Sequence, residues 1–176
     1  MKRNGAYASG VFRPSSRTAW ASVFELIVIA AFVVACGGAS AGVTTAQIQF
    51  IDHGSTQQST HEGGPRIAAA TDPAGTGLGP LASREAGRLY IAVFAGSQRT
   101  GGYGIRVVRI DRAGDTLTVR AMFSSPASDA LTIQVLTSPA NLVSIDRQQA
   151  ASARDVVLVD QSAAERARGT VPQSQP

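Results

Sequence analysis

"RLYIAVFAGSQRTGGYGIRVVRI" runs from Arg88 to Ile110. Two apolar runs flank a Thr100-Gly101-Gly102-Tyr103 cluster. The first run, Arg88 to Ala95, is apolar at consecutive positions, as a central strand buried on both faces should be. The second, Tyr103 to Ile110, leads through "DRAGD" (Asp111 to Asp115), read as a turn, into "TLTVRAMF" (Thr116 to Phe123). There Leu117, Val119, Ala121 and Phe123 share one face, and Thr116, Thr118, Arg120 and Met122 the other. Strict alternation marks a half-exposed strand, so Tyr103–Ile110 and Thr116–Phe123 form a predicted hairpin.

Weaker strand signals lie on both sides. Ile48, Phe50 and Ile51 mark a first strand, and Arg66 to Thr71 a short one. After the loop "SSPASD", the stretch "ALTIQVLT" (Ala130 to Thr137) alternates like a strand and ends at Ser138-Pro139. "NLVSI" and "DVVLV" complete the series. Asp72 to Gly87 reads as loop with room for little more than a turn of helix, and residues 161–176 read as a disordered tail. The fold class is therefore mainly β: a single small antiparallel β-sandwich or partly open barrel, over residues 44–160.

The N-terminal segment is of another kind. Basic residues precede an apolar stretch from Leu26 to Val34, and "VVAC" (Val33 to Cys36) resembles the bacterial lipobox. In signals of that type the cysteine is acylated and becomes the new N-terminus. Cys36 is the chain's one cysteine, so it is the candidate lipidation site, with residues 1–35 as signal peptide and 36–43 as flexible tether. The alternative is an uncleaved anchor or an ordinary signal. Thr18 to Ala35 offers about 18 mostly apolar residues, the lower limit of a spanning helix. Glu25 inside it would be costly near a bilayer centre. With one cysteine there is no internal disulfide, so the exported domain must stand on packing alone. Gly37 after the cysteine, rather than Asp, points to the outer membrane if the envelope is diderm.

Charge follows the same division. The net +4 comes largely from Lys2, Arg3, Arg13 and Arg17, all ahead of Cys36. What remains is nearly neutral, which removes the electrostatic basis for nucleic-acid binding. Nucleotide binding fails on the motif. Gly96 and Gly101 have P-loop spacing, but Gly102 and Tyr103 stand where Lys and Ser/Thr are needed, and no helix follows. "GTGLG" (Gly75 to Gly79) lacks the preceding strand and following helix of a dinucleotide site. His53 and His61, in a polar stretch with no cysteine beside them, read as solvated rather than metal-ligating. No G-x-S-x-G elbow occurs, and the expectation is a protein that is not an enzyme and holds no cofactor or metal. Arg106, Arg109 and Arg120 on the hairpin read as a solvated sheet face, with an acidic-partner patch as the alternative.

The order of motifs carries a resemblance. "YIAVFAGSQRTGGYGIRVVRI", then "DTLTVRAMFSSP", then "TIQVLTSPANLVSI" resemble the PrcB C-terminal domain family over about residues 88–145. Arg99 stands where the family often has proline before the TGGY loop, and Ala140 where it often has an aromatic. The resemblance implies a non-catalytic lipoprotein that associates with a cell-surface protease and supports its stability. The expected partners are thus the membrane, through the lipid anchor, and an envelope protease.

Arg99, Thr100, Gly101, Gly102 and Tyr103 are the candidate loop, with two readings. In one it is a structural corner, with glycines at positive φ and the Tyr103 hydroxyl bonded to backbone. In the other it contacts a partner, since Tyr and Arg are common interface anchors. The Thr-Gly-Tyr loop is also similar to that of chagasin-type inhibitors of cysteine proteases. A protease inhibitor presenting Thr100–Tyr103 is therefore the alternative to an accessory subunit.

Overall fold

A computed structural model describes residues 44–173. Cys36, the signal peptide and the tether lie outside the described residues. The strands are β1 (Thr45–Ile48), β2 (Phe50–Thr56), β3 (Arg66–Ala70), β4 (Arg88–Phe94), β5 (Gly104–Ala113), β6 (Thr116–Ser124), β7 (Ala140–Asp146), β8 (Asp155–Val159) and β9 (Glu165–Thr170). They form two sheets, in the orders β1-β5-β6-β8-β9 and β2-β7-β4-β3. The architecture is the mainly β, two-sheet fold that the alternation implies, without barrel closure.

β4 decides the arrangement. Leu89, Ile91 and Val93 point into the core between the sheets, with Val143 and Ile145 of β7 and Leu117, Val119 and Leu158 of the facing sheet. Tyr90, Ala92 and Phe94 point the other way, against Leu142 and the segment carrying Leu78, Leu81 and Ala82. That segment, two short 3-10 turns at Ala74–Thr76 and Gly79–Leu81, covers the second face of the sheet. A strand buried on both faces needs apolar residues at every position, and β4 has them from Leu89 to Phe94.

The hairpin forms as expected, but it is longer. β5 runs on to Ala113, so the turn shrinks to Gly114 and Asp115, with Gly114 at φ +62. A bulge between Val107 and Arg109 breaks the alternation of β5, exposing Val108 and Arg109 together.

Three expectations are corrected. Ala130 to Thr137 is not a strand; only Thr137 makes a bridge, to Gln98. Residues 161–176 are not a disordered tail throughout, because β9 pairs antiparallel with β8 from Thr170↔Asp155 to Glu165↔Val159. β9 lacks the apolar run that announces a buried strand, since an edge strand is served by charge on its open side. Gly169 lets it approach β3: a Cβ there would lie 3.0 Å from the Ile67 carbonyl oxygen. Finally, the sheets are not purely antiparallel. β6 and β8 run parallel, because the chain crosses to the other sheet as β7 before returning.

Asn141 ties the two sheets. Buried in β7, its Oδ1 accepts from the Val107 N–H at 2.9 Å, the donor left over at the β5 bulge. Its Nδ2 donates to Asp52 Oδ1 at 2.9 Å and to the Gly54 carbonyl at 2.8 Å, at the bulge of β2. Two interrupted ladders are thus satisfied by one side chain.

Candidate functional site

The Arg99–Tyr103 loop connects β4 to β5, that is, one sheet to the other. Neighbours pin it from two sides. On one, Ser97 donates its N–H to the Gly63 carbonyl at 2.8 Å, and the Ser97 hydroxyl accepts from the Gly63 N–H at 3.1 Å. Gly96, at φ +84, passes so near that a Cβ would lie 2.5 Å from the Gly63 oxygen. On the other side, Gln98 and Thr137 exchange backbone bonds at 2.8 and 2.9 Å. The Thr137 hydroxyl donates to the Thr100 carbonyl at 3.1 Å, and Gly101 donates its N–H to the Ile133 carbonyl at 3.1 Å.

The glycines divide their tasks. Gly101 is buried, and a Cβ there would meet Ile133 Cγ1 at 3.0 Å. Gly102 is exposed, at φ +90, and a Cβ would stand 3.0 Å from Pro126. The loop is therefore a tight reversal that needs glycine for both space and φ.

Tyr103 does not make the backbone anchor of the corner reading. It is half-buried at the start of β5, and its hydroxyl has no hydrogen-bond partner among the described residues. The buried tyrosine anchor is Tyr90, whose hydroxyl donates to the Ser83 carbonyl at 2.9 Å and accepts from the Glu85 N–H at 2.8 Å. It fastens the covering segment to β4, and only the tertiary packing reveals that role.

Around the loop lies an apolar surface. Leu131, Ile133 and Leu136 are more than half exposed, and Met122 projects from β6 beside Gly104 and Arg106. A cleft of about 550 Å³ runs along Leu131, Ile133 and Val135 and is bordered by Gly101, Gly102 and Tyr103. A second hollow, of about 280 Å³, lies beside Gly104 and Met122, and Gln57 borders both. Sequence reading placed Ala130 to Thr137 in a ladder and so missed this surface; the signal was a strand-like run with no obvious pairing partner.

The hairpin arginines are engaged locally, as a solvated and internally balanced face. Arg106 pairs with Asp52 at 3.4 Å, and Arg109 with Asp111 at 2.7 Å. The Asp111 carboxylate, by hydrogen bond and charge, holds Arg109 above its ordinary range. Arg120 donates to the Asp160 carbonyl at 3.4 Å. Arg99, by contrast, is exposed and makes no ion pair among the described residues.

Neither histidine is a freely solvated loop residue. His53 lies on β2, its Nε2 2.8 Å from Ser144 Oγ and its ring 5.7 Å from that of Tyr90. His61 bonds the Gly64 carbonyl through Nε2 at 2.9 Å and sets its ring 5.2 Å from Phe94. Their contacts with Ser144, Tyr90 and Phe94 are distant in sequence, so a local polar stretch does not reveal them. Among the described residues, the His53–Ser144 pair is the one hydrogen-bonded arrangement of nucleophile-and-base type. Ser144 is fully buried, and no carboxylate bonds the other ring nitrogen of His53 among the described residues. Among the described residues no three His, Cys, Asp or Glu side chains gather as a metal site.

No curated protein and no solved structure matches the chain. Residues 89–146 match the family model described as PrcB C-terminal. These residues run from β4 to the end of β7 and include the glycine loop, Met122 and the exposed apolar segment. The match supports the resemblance of this part of the chain to the PrcB C-terminal family.

Proposed function

We propose that the protein is an envelope-anchored, non-catalytic lipoprotein that binds a surface protease as an accessory or stabilising subunit. The observation that carries this is the apolar surface around the glycine loop, bordered by Tyr103, inside the family-matched segment. A monomeric domain seldom leaves such a patch open without a partner. Tyr103 has a free hydroxyl and a half-buried ring, the amphipathic combination that suits an interface anchor. Because the loop is pinned on both sides, it forms part of a broad face rather than a protruding wedge. That favours docking of a whole subunit over insertion into a protease cleft.

Anchoring through Cys36 places the domain at the membrane surface, on a tether that spans at most about 30 Å when extended. The tether enters at Thr45, which pairs with Ala113 at one end of β5, while Gly104 and the glycine loop lie at the other end.

The test is affinity capture of the tagged full-length protein from detergent-solubilised native membranes, beside Tyr103→Ala. The expected result is co-purifying proteolytic activity that is undiminished by the bound protein and reduced with the variant. Inhibition of that activity would favour the inhibitor instead. Absence of any protease from both samples would overturn the accessory-subunit reading. Metabolic labelling with a fatty acid should mark the wild type and not Cys36→Ser; equal labelling would remove the anchor.

A further inference from the structure

The connection from β6 to β7, Ser125 to Pro139, is the most loosely tied link between the described strands. Ala127 to Leu131 are all exposed, Leu131 fully so. From Ser125 to Thr132 the one backbone bond among the described residues is local, from the Ala130 N–H to the Ala127 carbonyl. The first bond to a distant element comes at Ile133, whose carbonyl accepts from Gly101. Beyond it the chain is held again, by Thr137 to Gln98 and by Ser138 to Gln57 and Ser59. The other long connections are fastened along their length. Gln57 to Pro65 is bonded through Ser59, His61 and Gly63 to Ser138 and Ser97. Thr71 to Gly87 buries Thr76 and Leu78 and is tied to Tyr90 through Ser83 and Glu85. A protease takes its substrate as an extended run of residues, so it selects segments that are exposed and have few bonds to break.

We propose that the Leu131–Thr132 peptide bond is a processing site for an endopeptidase with an apolar primary pocket, and that the domain stays assembled once cut. Leu131 offers its whole side chain to such a pocket. Ahead of it only the Ala130–Ala127 bond has to open, and behind it only the Gly101–Ile133 bond and the tight Val135–Ile133 bond. Hydrolysis adds one water across the amide. The hydroxyl goes to the Leu131 carbonyl carbon and the proton to the Thr132 nitrogen, leaving a carboxylate and an ammonium group. Met122 is exposed too, but its place in the ladder opposite Arg106 of β5 withholds its backbone.

The topology holds the cut chain together. The C-terminal fragment carries β7, β8 and β9. β7 lies between β2 and β4 in one sheet, and β8 between β6 and β9 in the other. Leu142, Val143, Ile145, Val156 and Leu158 of that fragment are fully buried against the rest. Ile133 and Thr137 stay bonded to Gly101 and Gln98, so the cut frees only the arm from Ser125 to Leu131. The inference stands apart from the accessory-subunit reading, because an added protease tests it.

The probe is chymotrypsin, added sparingly to the full-length chain in detergent. Within residues 44–173 the first cut, mapped by mass spectrometry, should follow Leu131. Leu131→Asp replaces a fully exposed side chain, leaves the core intact and should slow that cut several-fold. The two wild-type fragments should elute together on gel filtration and part only in urea. A first cut elsewhere in the domain overturns the site. So does a domain that stays whole while its urea-unfolded form is digested, or a Leu131→Asp chain cut at the same place and rate. Fragments that part in native buffer overturn the retained assembly.

Discussion

β6 and the segment Ala130 to Thr137 have nearly the same local sequence. "TLTVRAMF" and "ALTIQVLT" both alternate, and both are rich in β-branched and large apolar residues. One is a ladder strand with Leu117, Val119 and Ala121 fully buried; the other is irregular and displays Leu131 and Ile133 to solvent. What separates them is connection. β6 follows β5 through a two-residue turn and receives β8 on its other side, so it is laddered on both edges from Thr116 to Arg120. The second segment must carry the chain from the end of one sheet, past Pro126, to Pro139 and the start of β7 in the other. Alternation confers competence to pair, and topology decides whether a partner is present.

The comparison can be broken at its strongest point. Leu117→Ala should cost about 2–5 kcal/mol, because a fully buried side chain leaves a cavity that packing cannot close. Leu131→Ala, at the matching position of the unpaired segment and fully exposed, should stay within about 0.5 kcal/mol. Urea midpoints of the two variants measure the contrast, and equal losses would mean that the segment is packed after all. Next in size is Asn141→Leu. It strands the buried Val107 N–H and removes the link between both bulges, at about 1–3 kcal/mol. If its midpoint matches that of the wild type, the bulges are held by something else.

Gly102→Val probes where the two regions touch. Its φ of +90 and the contact with Pro126 both oppose a side chain, for a loss of about 1–3 kcal/mol by thermal or urea unfolding. Gly102→Ala should lose less, and an unchanged Gly102→Val would show that the reversal relaxes freely.

The smallest effect concerns pH and the turn between β8 and β9. The Ser162 hydroxyl, 2.6 Å from Asp160, holds that carboxylate below its usual range, aided by the N–H groups of Ala164 and Ser162 and the charge of Arg166. A carboxylate with a depressed folded pKa contributes stability above its unfolded value, about 3.9, and loses it as pH falls through the folded value. Wild-type stability should therefore fall more steeply than that of Asp160→Asn below about pH 4. Parallel acid profiles would show that the turn does not depend on the ionised side chain.

Several features were legible in the chain alone. The both-face apolar run of β4, the hairpin of β5 and β6, and the short strands β7 and β8 follow from local period and turn residues. The glycine loop could be placed between two strands for the same reason. What could not be read is whatever depends on a distant neighbour. The bulge at Val107–Arg109 looks like ordinary strand until Asn141 arrives to accept its spare N–H. β9 looks like polar tail because its value lies in backbone pairing, to which side-chain pattern is blind. Tyr90 and Tyr103 are both tyrosines on apolar strands, and only the covering segment makes the first an anchor and leaves the second free.

By itself, the sequence determined the fold class, the order of the central strands, the family resemblance of residues 89–146 and the need for glycine at the reversal. These rest on local physics, the two-residue period of a strand and the φ range of glycine, which each short stretch carries within itself. Only the tertiary structure decided which strand-like segment stays unpaired, where the sheets are tied and which apolar side chains face water. Those are outcomes of competition for partners, and a backbone donor or an apolar side chain is satisfied by whichever neighbour the topology delivers.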